Sequence, residues 1–342
     1  MKAAILDKIT RLEENKQPLK IVEVPNPVFG VGEILIKISA CGVCHTELDE
    51  IEGRTPPTRL PVIPGHQAVG IVADRGKQAK KFEIGARVGI GWINYACGRC
   101  PACISENENL CGDFRATGRD VHGGYAEYLA IAENFAFAIP EVFSDVQAAP
   151  LLCAGAIGYR SLRLANLADG QRLGLAGFGA SAHLVLKMVR YRYSHTEIFV
   201  FARNKDEQNF ARELGAVWAG DISAESPKKL NAIIDTTPVW KTIIEALKNL
   251  EPAGRLIINA IRKEDRDKNY LLQLDYGNHL WLEKEIKSVA NVTRRDIEEF
   301  LTLAALIPII PEVEEYPLNE ANRALAELKE GKIRGAKVLK IS

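Results

Sequence analysis

Apolar and polar positions change rhythm part-way along the chain. In "RLGLAGFGASAHLVLKMVRY" an apolar strand at Leu173 to Ala176 runs into Gly177-x-Gly179-x-x-Ala182, which opens a helix reaching about Arg190. A strand "EIFVFA" (197–202), a helical "KDEQNFARELGA", a strand "NAIIDT" (231–236), a helical "WKTIIEALKNL" and a strand "RLIINA" (255–260) follow. Strands alternating with helices at this interval predict an α/β doubly wound parallel sheet. The polar stretch 221–229 reads as a loop.

Either side of this block the texture differs. Short β-rich segments with many Gly and Pro precede it, and "IKSVANVTRRDIEEF" to "GAKVLKIS" follows it. The expected organisation is a β-rich domain over 1–153, a cofactor domain over 154–286 and a return to the first domain over 287–342. No internal repeat or low-complexity segment interrupts this order.

The glycine-rich turn carries chemistry. Gly177 allows a tight turn, Gly179 lets backbone approach a pyrophosphate, and the small Ala182 lets helix pack on strand. In the context of the alternating elements, this predicts a dinucleotide at the carboxyl edge of the sheet.

Composition narrows the class. At 342 residues, 47% apolar and 26% charged, the chain can bury a large core without staples. Forty-four basic residues against forty-four acidic ones leave no net field for nucleic acid or an anionic membrane. "MKAAILDKIT" lacks the apolar run of a signal peptide, and nothing later approaches a membrane span, so a cytoplasmic protein is expected. Its seven cysteines should then be reduced, and their spacing reports metal or catalysis before disulfides.

Four of them, Cys97, Cys100, Cys103 and Cys111, form a C-x2-C-x2-C-x7-C run. Four thiolates on a short loop match a closed, structural zinc; an iron–sulfur cluster also uses four cysteines, and a set of packed thiols is the bland alternative. Cys41, Cys44 and Cys153 remain, with His66 in "PVIPGHQAVG" at the end of a turn. Each is ambiguous alone. Two thiolates, one imidazole and an exchangeable fourth position together would make a catalytic zinc.

The motifs "CGVCHTEL", "PGHQAVG", the four-cysteine loop, "GGYAEY", "PLLCAGAIGYRSL" and "GFGASAH", in this order, extend over the whole chain. They resemble the zinc-dependent alcohol dehydrogenase family of the medium-chain dehydrogenase/reductase superfamily. The resemblance implies a GroES-like catalytic domain beside a Rossmann cofactor domain, two zinc ions per chain, and a small-molecule alcohol or aldehyde as substrate. It also implies a homodimer or homotetramer built through edge strands of the cofactor domain.

Residue by residue, the resemblance makes Cys44, His66 and Cys153 the catalytic zinc ligands. It makes Thr46 the hydroxyl exchanging a proton with the substrate oxygen and Glu47 the carboxylate that orients His66. His45 falls where the family places a basic residue near the cofactor phosphates, and Trp92 and Ile93 match positions lining an apolar substrate pocket. Zinc would polarise an aldehyde oxygen or acidify an alcohol while the nicotinamide takes or gives hydride. A reductase of bulkier aldehydes working with NADPH, and a regulatory protein that binds cofactor without catalysis, are the alternatives.

The chain departs from the family pattern at four places. Asp49 stands at the proton-relay position, where the best-known members have histidine. Gln67 replaces a glutamate near the metal, leaving the site about one charge more positive. At the end of the second cofactor-domain strand, Ala202 and Arg203 replace the acid that grips the ribose of NAD, which favours NADP(H) and leaves NAD(H) possible. Finally, Ala336 occupies the place of an arginine that contacts pyrophosphate, with Arg334 and Lys337 as nearby substitutes.

Overall fold

The computed structural model describes residues 1–307, 309–331 and 335–341; Arg334 lies outside them. The chain divides into two compact units, Met1–Cys153 with Val292–Ser342, and Ala154–Asn291.

The first unit is built on a sheet ordered Val313–Pro317, Ala336–Lys340, Glu33–Val43, Ala68–Arg75, Arg87–Ile90, Ala136–Ala138, with Tyr128–Ala132 also paired to Glu33–Val43. The long strand "EILIKISACGV" shows why it forms. Ile34, Ile36 and Ile38 alternate inward and are buried, while Lys37 points to solvent, the period-two signature of a half-buried strand. Beyond Ser39 every residue of the strand is buried, so its carboxyl end leads directly into the interior.

There the helix His45–Ile51 begins. Cys44 is its N-cap in extended conformation (φ −137°, ψ 175°), with its sulfur accepting from Thr46 N and Glu47 reaching back to the Cys44 N–H. This reciprocal cap satisfies backbone donors that the first turn leaves unpaired.

The second unit contains, among the described residues, a six-stranded parallel sheet ordered Trp218–Gly220, Glu197–Phe201, Arg172–Ala176, Leu230–Asp235, Leu250–Ile258, Glu285–Ser288. In chain order this is 3-2-1-4-5-6, with its switch point between Arg172–Ala176 and Leu230–Asp235. Phe199, Ile233, Leu247 and Leu256 pack into one core between sheet and helices. The strand Glu197–Phe201 is buried almost throughout, as a strand covered on both faces must be.

Two features differ from the sequence reading. The three-residue strand Trp218–Gly220 is too short to announce itself by periodicity; Trp218 secures it by packing edge-on against Phe201, with ring centroids 5.2 Å apart. The second unit also runs to Asn291 instead of 286, because Glu285–Ser288 pairs in parallel with Leu250–Ile258 and carries the sheet across the expected boundary. The segment 221–229 holds neither helix nor strand.

Candidate metal centre and cofactor site

Three separate segments of the first unit converge. Cys44 caps the helix His45–Ile51, His66 leaves the turn at Pro64-Gly65, and Cys153 lies on a widened helical turn, Leu151–Gly155, of the kind often found at functional sites. Gly65 has φ +97°, and a Cβ there would lie 2.3 Å from the Tyr125 ring, so only glycine makes this turn. The ligand atoms of Cys44, His66 and Cys153 all lie within 4.8 Å of one another. Cys44 Sγ and His66 Nε2 are 3.8 Å apart, close to the ~3.5 Å edge that tetrahedral zinc–sulfur and zinc–nitrogen bonds require.

Behind them sits a buried carboxylate. Glu47 Oε1 meets His66 Nδ1 at 2.5 Å and its Oε2 accepts from the Cys44 N–H at 2.8 Å. Nδ1 is thereby committed to Glu47, which leaves Nε2 facing the sulfurs. The Cys153 thiol beside it, then burial and Glu47, push the Cys44 thiol well above its ordinary range. Burial disfavours the imidazolium of His66, but Glu47 and Cys44 outweigh it and hold its pKa well above the usual value. Such a donor set keeps its protons until a cation displaces them. Its chemistry and spacing fit zinc.

A second cluster stands in the same unit. Cys97, Cys100, Cys103 and Cys111 also place their sulfurs within 4.8 Å of one another. Cys97 and Cys103 are 3.9 Å apart and Cys100 and Cys103 3.5 Å, bracketing the ~3.8 Å edge of a tetrahedral zinc–sulfur site. The backbone N–H groups of Arg99 and Cys100 lower the Cys97 thiol to about 6, whereas burial and Cys100 raise Cys103 to about 12. Cys97 is thus prepared as a thiolate by local backbone geometry. Glu108 ties this lobe to the helix Arg294–Leu306, accepting from the backbone N–H and the guanidinium of Arg294 at 2.9 and 3.1 Å.

In the second unit, the turn after Arg172–Ala176 has the geometry that a pyrophosphate needs. Gly177 has φ +80°, with its face against Thr236 and Thr237. A Cβ on Gly179 would meet nothing within 4 Å, so the backbone is open to a ligand above it, and Ala182 is fully buried beneath. The helix Ala180–Arg192 starts here and points its amino end at that opening.

Comparison with known proteins agrees with this arrangement. The alcohol dehydrogenase GroES-like domain family matches residues 30–141. The probable alcohol dehydrogenase AdhA of Mycobacterium tuberculosis is 41% identical over 329 residues, covering 95% of this chain and 93% of that protein. An alcohol dehydrogenase of Geobacillus stearothermophilus is 32% identical, covering 100% of this chain and 99% of its own length. The chain belongs to the zinc-type alcohol dehydrogenases of the medium-chain dehydrogenase/reductase superfamily. Its fold is shared by the structure of CAD from Helicobacter pylori complexed with NADP(H), at a TM-score of 0.83 and 24% identity over 100% of this chain and 99% of that one. The two units of this dehydrogenase are accordingly a GroES-like domain and a Rossmann domain. Among its described residues no helix is long and apolar enough to cross a membrane.

Other singled-out residues of the dehydrogenase fall into distinct surroundings. Thr46 is half-buried on the first turn of the helix that Cys44 caps, and His45 beside it is exposed. Cys41 is fully buried against Gly65, Gly124 and Tyr125. Asp49 is buried and its carboxylate is bound by Arg54. Ile93 is fully buried in the core, whereas Trp92 is half-buried, with its ring 5.4 Å from Phe114 and under the Arg119 guanidinium. Gln67 is buried, with no hydrogen-bond partner for Nε2 among the described residues.

On the cofactor side, Ala202 is buried at the end of Glu197–Phe201, and its carbonyl accepts from Gln208. Arg203 is exposed, immediately before Asn204, which caps the helix Lys205–Glu213. Asp206 and Glu207 occupy that helix's first turn. Lys337 is not available to a phosphate: it is 2% exposed and donates to Glu314, Tyr316 and Glu327 at 2.7, 2.6 and 2.9 Å.

Sequence reasoning missed Glu50. It is 1% exposed, accepts from Trp92 Nε1 at 3.4 Å, and burial together with Glu47 pushes its carboxyl up to about 8. The available signal was an acid at the third position of an otherwise inward-facing stretch, Leu48 to Ile51, whose burial a seven-residue helix cannot reveal by periodicity.

Proposed function

We propose that this dehydrogenase interconverts primary alcohols and aldehydes, with zinc held by Cys44, His66 and Cys153 and a nicotinamide dinucleotide seated on the glycine turn. The observation that carries the reading is the convergence of two sulfurs and one imidazole nitrogen, with Glu47 behind the imidazole. When bound, zinc supplies a Lewis acid and the nicotinamide a hydride acceptor or donor. The chain supplies the rest. Glu47 fixes the tautomer and orientation of His66, Thr46 offers its hydroxyl for the substrate proton, and Trp92 contributes an apolar wall. Cys97, Cys100, Cys103 and Cys111 hold a second, structural zinc, a ligand set with no position left open.

For the cofactor we favour NADP(H). Ala202 leaves no carboxylate to repel a 2′-phosphate, and the exposed Arg203 offers planar donors to one. Asp206 and Glu207 in the next helical turn work against that preference, and they keep NAD(H) as the second reading. We also read the chain as cytoplasmic and homo-oligomeric. The outermost strand Glu285–Ser288 is exposed along its length, and Trp281, Leu282 and Ile286 are exposed beside or within it.

The test combines metal analysis with turnover. Zinc-loaded protein should contain two zinc ions per chain, one for each cluster, and Cys153→Ala should retain one while losing activity. Full turnover by metal-free protein would overturn the reading. Side-by-side kcat/KM with NADP(H) and NAD(H) over a panel of alcohols and aldehydes should favour NADP(H), with the preference lost in Arg203→Ala; a preference for NAD(H) would sink the phosphate assignment.

A further inference from the structure

At the carboxyl end of Leu230–Asp235 lies a buried ion pair outside the chemistry described above. Asp235 is fully buried and Lys263 has only 7% of its side chain exposed; the ammonium contacts Asp235 Oδ2. The same ammonium donates to the carbonyls of Thr237 at 2.7 Å and Val239 at 3.3 Å. The other carboxylate oxygen, Oδ1, accepts from the backbone N–H and hydroxyl of Thr237 at 3.2 and 2.8 Å. Next along the chain, the Glu264 N–H donates to Pro238 O at 2.7 Å. Four of the five residues from Asp235 to Val239, all but Thr236, are therefore held by one short segment at 263–264.

Those five residues form one wall of the switch-point crevice. Thr236 donates from its N–H and hydroxyl to Ala176 O at 2.9 and 3.1 Å, the last residue before the glycine turn. An added Cβ on Gly177 would lie 2.8 Å from Thr236 Oγ1 and 2.9 Å from Thr237 Cγ2. Loop and turn are thus in contact, and a displacement of Thr236–Thr237 moves the surface on which Gly177 rests. Burying an ion pair is a poor way to gain stability, since apolar side chains of equal volume serve as well or better. What the pair does supply is direction: one ammonium fixes two carbonyls and a carboxylate at once.

We infer that Lys263 is a positioning residue for the dinucleotide, holding the Asp235–Val239 loop against the glycine turn through Asp235 and the carbonyls of Thr237 and Val239. This rests on the reading that the glycine turn seats the cofactor. Lys263 touches no reacting atom; it sets the shape of the crevice wall. Loss of the clamp weakens cofactor binding while leaving the zinc sites, in the other unit, unaltered.

The experiment is a fluorescence titration of NADPH and NADH into the zinc-loaded enzyme, its Lys263→Met variant and the Asp235→Asn/Lys263→Met double variant. Lys263→Met strands a buried carboxylate and risks unfolding, so the double variant, which removes both charges, carries the decision. Its zinc content and Tm should match the wild type, its dinucleotide Kd should rise about tenfold or more, and its KM for alcohol at saturating cofactor should not change. A folded double variant that binds both dinucleotides as the wild type does overturns the inference and leaves the cofactor site standing. If the wild-type enzyme binds neither dinucleotide, the cofactor-site reading fails, and this inference falls with it.

Discussion

Asp49 Oδ1 and Arg54 Nε meet at 2.5 Å, and the carboxylate that stands at the relay position is thereby held by a cation. Its backbone carbonyl also accepts from the N–H groups of Arg54 and Thr55, so the end of the helix His45–Ile51 and the following turn close around one residue. With Oδ1 engaged by the guanidinium and the side chain buried, the carboxylate is occupied by an ion pair and is not directed at a substrate oxygen. We therefore expect Asp49→Asn to leave the pH dependence of kcat/KM in place while lowering stability by ~1 kcal/mol, since Arg54 loses one of its two carboxylate partners and keeps Glu52. Parallel pH–rate profiles and denaturant unfolding check this; a shifted profile would restore Asp49 as the relay.

Glu47 bears on metal affinity. Because it accepts from His66 Nδ1 and from the Cys44 N–H, one carboxylate orients two of the three donors. Glu47→Gln should weaken zinc at the Cys44–His66–Cys153 cluster by about 10–100-fold, with the four-cysteine cluster unaffected. Chelator competition resolves the two sites by their release. Equal release in variant and wild type would remove Glu47 from the metal's support.

Acid sensitivity should follow His279. This residue is buried, its Nδ1 accepts from the Asp275 N–H at 2.8 Å, and its Nε2 has no partner among the described residues. Burial lowers its pKa, with Lys248 and Lys284 adding to the effect against Asp275. The folded state thus favours neutral imidazole. Its stabilising contribution is complete above the unfolded value of about 6.5 and is lost as pH falls through the lowered folded value. Between about pH 7 and pH 5 the wild type should lose more stability than His279→Gln, as measured by urea unfolding in excess zinc. Identical losses would show that His279 does not titrate in the folded range.

The sequence exposed the parts of this enzyme whose physics is local. Gly177, Gly179 and Ala182 could be read because a tight turn, an open backbone and a close helix each demand a residue type at fixed spacing. The four-cysteine lobe was equally legible, since all its donors lie within one short segment. Cys44, His66 and Cys153 required family resemblance, because their meeting is made by a strand end, a turn and a distant helical bulge that no spacing rule connects. The Asp49–Arg54 pair, the burial of Glu50 and the sequestering of Lys337 were hidden for a related reason. Each depends on which face of a short element turns inward, and the strand Ala336–Lys340 becomes central only when Glu33–Val43 pairs with it. The clamp between Asp235 and Lys263 joins the end of a legible strand to a loop almost thirty residues on, a pairing that no periodicity announces.

The lowered thiol of Cys97 has a further consequence, for the lifetime of the protein. Lowered to about 6 by its backbone donors, this thiol favours the anion at neutral pH, and the thiolate is the nucleophile that attacks peroxide. Metal held by the lobe would occupy that lone pair. In the absence of metal, Cys97 would be the sulfur favoured to attack peroxide, giving a sulfenic acid and hydroxide, and the Cys103 thiol, 3.9 Å away, would then displace water from it to close a disulfide. The two backbone N–H groups that favour the Cys97 thiolate would thus also expose an unmetallated lobe to oxidation, and a disulfide formed there would need a reductant before the four sulfurs could hold metal.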